Sequence, residues 1–216
     1  VNCEVTRIDR KKKVVEYHNT QSGEALSLVY DKLIIATGSL PRLPDVPGID
    51  LEGVTTLKTM GDVDRLRKIR DEKKIKKAVV IGGGLIGLET CEALHLAGID
   101  ITIVELLPQL LTFLDCELAK LVENYIKSKN ANVITNNGVT EFMGDGKKLT
   151  AVKLTNGAEI ECELAVVATG VIPNSALARD AGITTGKKAV SRSTLICRPM
   201  IAISTRLAIV LKSPIF

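Results

Sequence analysis

Three glycines carry the first chemical argument, Gly82-x-Gly84-x-x-Gly87 in the run AVVIGGGLIGLETCEALHLAGIDITIVE. At this spacing the first glycine permits a tight turn and the second lets the backbone approach a pyrophosphate. The third lets a helix pack close to a strand. The helix that follows offers phosphate its unpaired N–H groups and the positive end of its dipole. Glu105 stands 18 residues past Gly87, where a carboxylate accepts hydrogen bonds from an adenosine ribose. The pattern fits a dinucleotide site; the competing reading is a glycine-rich turn that holds no ligand. Glu105 also bears on which dinucleotide, because its charge repels a 2′-phosphate and no Lys or Arg lies between Leu106 and Leu118. NADH is expected over NADPH.

A second pair of sites ends two short apolar runs. LIIATG closes on Thr37-Gly38 and AVVATG on Thr169-Gly170. Small residues at the C-terminal edge of a buried strand let backbone approach a ligand, and open α/β sheets bind ligands at that edge. A simple turn explains either copy equally well when taken alone.

These residues need elements to position them. The run 78–81 reads as a buried strand, 85–97 as a helix stopped by Gly98, and 99–105 as a second strand. A helix over 115–129 and alternating segments near 132–135, 149–154 and 159–162 complete the unit. Upstream, CEVTRID, KVVEYHN and ALSLVYD alternate apolar and polar, as an antiparallel meander does, with turns at 10–13 and 22–24. A link containing Pro41, Pro44 and Pro47-Gly48 follows, and it is expected to continue neither strand nor helix. From 60 to 77 the apolar residues recur at helical spacing, with Asp62 as the candidate cap and a solvated Arg- and Lys-rich face.

Composition narrows the classes. The 216 residues carry a net charge of +4, yet six basic residues follow Asp180 with no acid among them. The body before them is therefore slightly acidic, and nucleic-acid binding is not expected. No apolar run is long enough for a membrane-spanning helix. Cys3, Cys91, Cys116, Cys162 and Cys197 are scattered singly, without zinc spacing. That pattern suits a reducing, cytoplasmic setting, and His18 and His95 add little material for a metal centre. Cys91 and Cys116 are expected to be inert core residues, and His95 a packed helix side chain.

YDKLIIATGSLPRLPDVPGID, AVVIGGGLIGLE, ITIVE and LAVVATGVIPN, in this order and spacing, resemble the FAD-dependent pyridine nucleotide–disulfide oxidoreductases. The NADH oxidase and coenzyme A-disulfide reductase branch is the most similar, over about residues 3–186. The resemblance implies an α/β fold in which a Rossmann-type NAD(H)-binding domain, 41–170, is inserted between two partial segments of an FAD-binding domain, 1–40 and 171–216. It implies that Gly82, Gly84, Gly87, Glu105 and Gly170 line NAD(P)H, with Glu89 near the nicotinamide. For Glu89 an exposed helix carboxylate is an equal alternative. It further implies that the Val5 backbone holds the FAD adenine and that Thr37 and Gly38 lie against FAD.

The implied activity of the parent protein is hydride transfer from NADH to FAD, then delivery to a small-molecule disulfide, persulfide or oxygen acceptor. A homodimer formed through a C-terminal domain is the implied assembly. The alternative class is a non-catalytic NAD-binding regulatory module.

Departures from the family pattern are informative. Leu85 stands where the family often has an aromatic residue shielding the flavin. The family's FAD phosphate-binding glycines and redox cysteine would lie upstream of Val1, and Cys3, entering a strand without an activating neighbour, does not replace that cysteine. With no initiator Met at Val1, a piece of a longer protein is expected, one that binds NADH without stable FAD binding or turnover. The acid-free stretch 189–216 is expected to be a frameshifted tail after Lys187-Lys188, loosely placed because it was never selected to pack.

Overall fold

A computed structural model describes residues 2–72 and 75–186, together with the backbone of 207–211. The chain divides into two compact units, Val1–Leu40 with Val171–Phe216, and Pro41–Gly170.

In the first unit β1 (Cys3–Asp9), β2 (Val14–Asn19) and β3 (Ala25–Val29) form an antiparallel meander in the order β1-β2-β3. Its turns are built by short polar side chains. Asp9 Oδ1 accepts from the N–H groups of Lys11 and Lys12, and Asn19 Oδ1 from those of Gln21 and Ser22, the local bonding for which Asp and Asn are favoured in turns. The meander buries Ile8, Val15 and Tyr30. β4 (Lys32–Ala36) follows, and the first residues of the proline-rich link form β5 (Ser39–Pro41), contrary to the expectation that the link carries no strand. A proline is tolerated there because β5 pairs with one neighbour only.

The second unit runs β6 (Val54–Thr56), α1 (Met60–Glu72), β7 (Lys77–Ile81), α2 (Leu85–Leu96), β8 (Asp100–Val104), α3 (Cys116–Ser128), β9 (Asn132–Ile134), β10 (Val139–Asp145), β11 (Lys148–Leu154), β12 (Glu159–Glu161) and β13 (Leu164–Val167). Five strands make a wholly parallel sheet in the order β6-β13-β7-β8-β9. β10, β11 and β12 form a separate antiparallel meander.

Alternation along the parallel strands explains their unbroken apolar sequences. Ala78, Val80, Ile101, Ile103, Leu164 and Val166 face one core, completed by Cys91 and Leu94 of α2 and by Leu66, Ile69, Val122 and Ile126 of α1 and α3. Val79, Ile81, Val104, Ala165 and Val167 face the other core, with Phe142, Leu149, Val152 and Leu154 of the meander. A parallel sheet covered on both faces has no solvent side to pattern against. Glu163 ties the start of this sheet together, its Oε2 accepting from Lys76 N at 3.0 Å and Lys77 N at 2.9 Å.

The helix ends show why the boundaries fall where they do. α1 is capped by Thr59, not by Asp62 alone. Thr59 Oγ1 accepts from Asp62 N while Asp62 Oδ2 accepts from Thr59 N, a reciprocal capping box. α1 is described over Met60–Glu72 and does not reach the expected 77, which is already the first residue of β7. α2 ends at Ala97, whose N–H bonds back into the last turn, and Gly98 takes φ +78° to leave it.

After Gly170 the chain returns to the first unit with β14 (Val171–Pro173), which pairs with β5, then α4 (Ala176–Asp180) and β15 (Leu207–Leu211). β15 pairs antiparallel with β4 over five residues, Leu207 opposite Ala36 through Leu211 opposite Lys32. The rest of the suspected frameshifted segment lies outside the described residues.

Candidate functional site

Because all five strands of the sheet are parallel, the residues following β7, β8 and β13 share its C-terminal edge. Gly82 follows β7, Glu105 follows β8, and Ala168, Thr169 and Gly170 follow β13. The chain proceeds from β7 to β8 and β9 on one side, while β13 and β6 lie on the other. The direction of the sheet therefore reverses between β7 and β13, the position at which open α/β sheets form their binding crevice.

The glycines at this edge do different things. Gly82 has φ +111°, and a Cβ there would lie 2.4 Å from the Ala168 carbonyl oxygen. A Cβ on Gly87 would lie 2.0 Å from the Gly82 carbonyl oxygen, so Gly87 lets α2 press onto the turn. Gly84 is the opposite case: exposed, with φ −83°, it has open space where a Cβ would stand. It is the N-cap of α2 and makes no side-chain cap bond. The first turn of α2 also carries no acidic residue, so no side chain of that turn neutralises its positive dipole end. A cradle that one side chain would fill, at an uncapped helix N-terminus, fits an anionic pyrophosphate.

Glu105 is half-buried at the end of β8, and its carboxylate is already engaged. Oε2 accepts from Gly83 N at 2.5 Å and Oε1 from Leu107 N at 2.8 Å. Each oxygen keeps a further lone pair for a hydroxyl donor. Gly170 has φ +99° with open space about it, and its carbonyl accepts from Arg42 N at 2.9 Å. Thr169 Oγ1 donates to Arg42 O at 2.6 Å. Glu89 is exposed one turn into α2 with no hydrogen bond or ion pair among the described residues. Leu85, at the entrance of the helix, is 59% exposed.

The other candidate residues lie in the first unit. Thr37 Oγ1 donates to the Asn174 carbonyl, and Asn174 N donates to the Gly38 carbonyl at 2.9 Å. Gly38 takes φ +68°. Val5 sits opposite Tyr17 on β1, next to a bulge. β1 is an edge strand of its three-stranded sheet, with no strand paired to its outer side among the described residues.

Sequence reasoning missed Gly83. It fills a variable position of the motif, yet a Cβ there would lie 2.3 Å from Leu110 Cδ2. Two further expectations are corrected. Cys116 is exposed at the start of α3, not in the core, because it follows the N-cap Asp115. His95 is exposed in the last turn of α2, where the helix end leaves it open to solvent although Cys91, one turn earlier on the same face, is buried. Burial pushes the thiols of Cys91 and Cys162 up to about 12, so neither is a nucleophile at neutral pH. No cluster of three metal-ligating side chains occurs among the described residues, and no helix there is long and apolar enough to cross a membrane. A groove of about 1070 Å³ opens at the opposite edge of the sheet, beside Lys77, Asp100 and Asn132, where strands begin.

A parallel sheet with a glycine turn at its switch point defines a Rossmann-type α/β protein. The family model for pyridine nucleotide-disulphide oxidoreductases matches residues 1–193, and the chain belongs to that family. It is 35% identical over 171 residues to an NADH oxidase of Methanocaldococcus jannaschii, covering 79% of this chain and 38% of the relative. Among solved structures it resembles a NAD-dependent persulfide reductase from A. fulgidus, with TM-score 0.82, 38% identity, and 87% and 34% of the two chains covered. It also resembles a water-forming NADH oxidase from Lactobacillus brevis bound to NADH, with TM-score 0.79, 26% identity, and 87% and 41% covered. The chain thus spans less than half the length of these relatives.

Proposed function

We propose that residues 41–170 form an NADH-binding unit of an FAD-dependent oxidoreductase. The observation that carries this reading is the open cradle over Gly84 at the uncapped N-terminus of α2, beside the switch point of the sheet. The N–H groups of the first turn of α2 would hold the pyrophosphate and Glu105 the adenosine ribose, with Gly82 and Gly87 fixing the turn. Gly170 would border the cofactor on the β13 side, and Glu89 would lie toward the nicotinamide. Val5, Thr37 and Gly38 would line FAD in the first unit, the outer backbone of β1 offering hydrogen bonds to adenine.

Nicotinamide supplies a hydride that flavin accepts, while this chain's residues bind, orient and exclude water. In the whole protein the electrons would pass on to a small-molecule disulfide, persulfide or oxygen. Relatives named NADH oxidase and NAD-dependent persulfide reductase support that range. The absence of Lys or Arg between Leu106 and Leu118 favours NADH over NADPH. Homodimerisation through a further domain and a cytoplasmic setting belong to the same proposal. Titrating the chain with NADH and NADPH tests it: tighter, saturable NADH binding is expected, and no binding of either would refute it.

A further inference from the structure

We infer that Glu105 is the clamp that shapes the glycine turn as well as a reader of the ribose, so that removing it weakens both dinucleotides and does not convert the site to NADPH. The inference rests on the proposed NADH site for its ligand, though the clamp itself is a property of the ligand-free chain. Both backbone groups of Gly83 are bound to the segment that follows β8. Its N–H donates to Glu105 Oε2 at 2.5 Å, and its carbonyl accepts from Leu111 N at 2.9 Å. The second carboxylate oxygen of Glu105 accepts from Leu107 N at 2.8 Å. One carboxylate therefore joins the turn after β7 to the turn after β8.

Glu105 is itself held rigidly. Its N–H donates to the Ile134 carbonyl at 2.9 Å, and its carbonyl accepts from Asn137 N at 3.1 Å. Leu110, 1% exposed, fills the space against Gly83. Leu111, 8% exposed, takes φ +46°, a conformation leucine rarely adopts. That geometry places its N–H on the Gly83 carbonyl. Without the carboxylate, the N–H groups of Gly83 and Leu107 lose their acceptor, and the turn loses the bond that fixes its approach to phosphate.

A site in which the acid only read the ribose would behave differently. Truncating it would relieve repulsion of a 2′-phosphate, and NADPH affinity would rise. The clamp predicts that Glu105→Ala weakens NADH by about tenfold or more, as loss of charge-assisted hydrogen bonds implies, with no gain for NADPH. Hydrogen exchange in the ligand-free chain supplies the independent readout. The Gly83 and Leu107 amides should be protected in the wild type and exchange much faster in Glu105→Ala. Glu105→Gln, which keeps one good acceptor oxygen and the side-chain volume, should retain protection at one of the two. Unchanged exchange at both amides in both variants, or a gain of NADPH binding in Glu105→Ala, would overturn the clamp. Failure of the wild type to bind NADH would refute the functional proposal, while the exchange comparison would still decide the clamp.

Discussion

The two units use their apolar residues differently. In Pro41–Gly170 the central strands are sealed on both faces, with Val79, Val80, Ile103, Ala165 and Val166 at 0% exposure. In the first unit the described core is Ile8, Val15 and Tyr30, and every residue of β3 is exposed, Val29 by 61%. The second unit therefore holds its shape from within, and the C-terminal edge of its sheet is carried on a fully packed platform. Preorganisation of this kind lets a glycine turn meet phosphate without reordering cost.

The largest expected effect comes from breaking that platform. Val166→Asp places a carboxylate between β6 and β7 strand neighbours with no partner, a cost of several kcal/mol. Set against a total stability of about 5–15 kcal/mol, that should unfold the second unit. Leu28→Asp on exposed β3 should cost about 1 kcal/mol or less. Thermal unfolding followed by circular dichroism separates the two, and equal losses would show that the units do not differ as described.

The next comparison lies within the turn. Gly87→Val drives a side chain onto the Gly82 carbonyl, so both stability and NADH binding should fall, the former by several kcal/mol. Gly84→Val meets open space and should cost only about 1 kcal/mol, for valine's poor fit at the N-cap, while abolishing binding. Melting both variants with and without NADH checks the pair. A Gly84→Val that unfolds would show the position to be structural.

What the sequence revealed, and what it hid, follows from the same physics. β7, β8 and β13 were legible because sheets buried on both faces require unbroken apolar runs, and α2 because glycines bracket it. β6 has three residues and β10 carries Gly144 and a polar end, so neither gives a period strong enough to read. The positions of Gly82 and Glu105 at strand ends, and of Gly84 and Gly87 at the start of α2, follow from the pattern. The roles of Gly83 and Leu111 do not, because their partners are a backbone carbonyl and a carboxylate more than twenty residues away in sequence. Cys116 was misread since its small apolar character says nothing about the helix face it occupies.

A chemical comparison is smaller in effect. Cys91 and Cys162 are buried and their thiols are raised from 9.0 to about 12, whereas Cys3 and Cys116 are exposed. At pH 8 a thiol reagent should label Cys3 and Cys116 quickly and leave Cys91 and Cys162 until the protein unfolds. The folded state holds these two protons more tightly than the unfolded chain. Stability should therefore be intact below pH 9 and decline as pH rises from there toward 12. Replacing both buried cysteines with Ala should flatten that alkaline decline, measured by denaturant unfolding across pH. Equal labelling of all four would contradict the burial.

The smallest expected effect lies on α3. Hydrogen bonds from Lys127 and Lys120 hold the Glu123 carboxyl below its usual value. The contribution is present at neutral pH and is lost as pH falls through that lowered value. Both lysines are solvent-exposed, so Glu123→Gln should cost under about 1 kcal/mol at pH 7 and less still in high salt. Urea unfolding at two salt concentrations measures it, and a loss of several kcal/mol would mark a deeper role.

The central claim is that the edge formed after β7, β8 and β13 binds NADH. Isothermal titration of the wild-type chain and of Gly84→Val, with melting temperatures recorded alongside, tests it most directly. The account predicts saturable NADH binding to the wild type, weaker NADPH binding, and no NADH binding to a Gly84→Val that is still folded at the titration temperature. Wild-type affinity retained in Gly84→Val would contradict it.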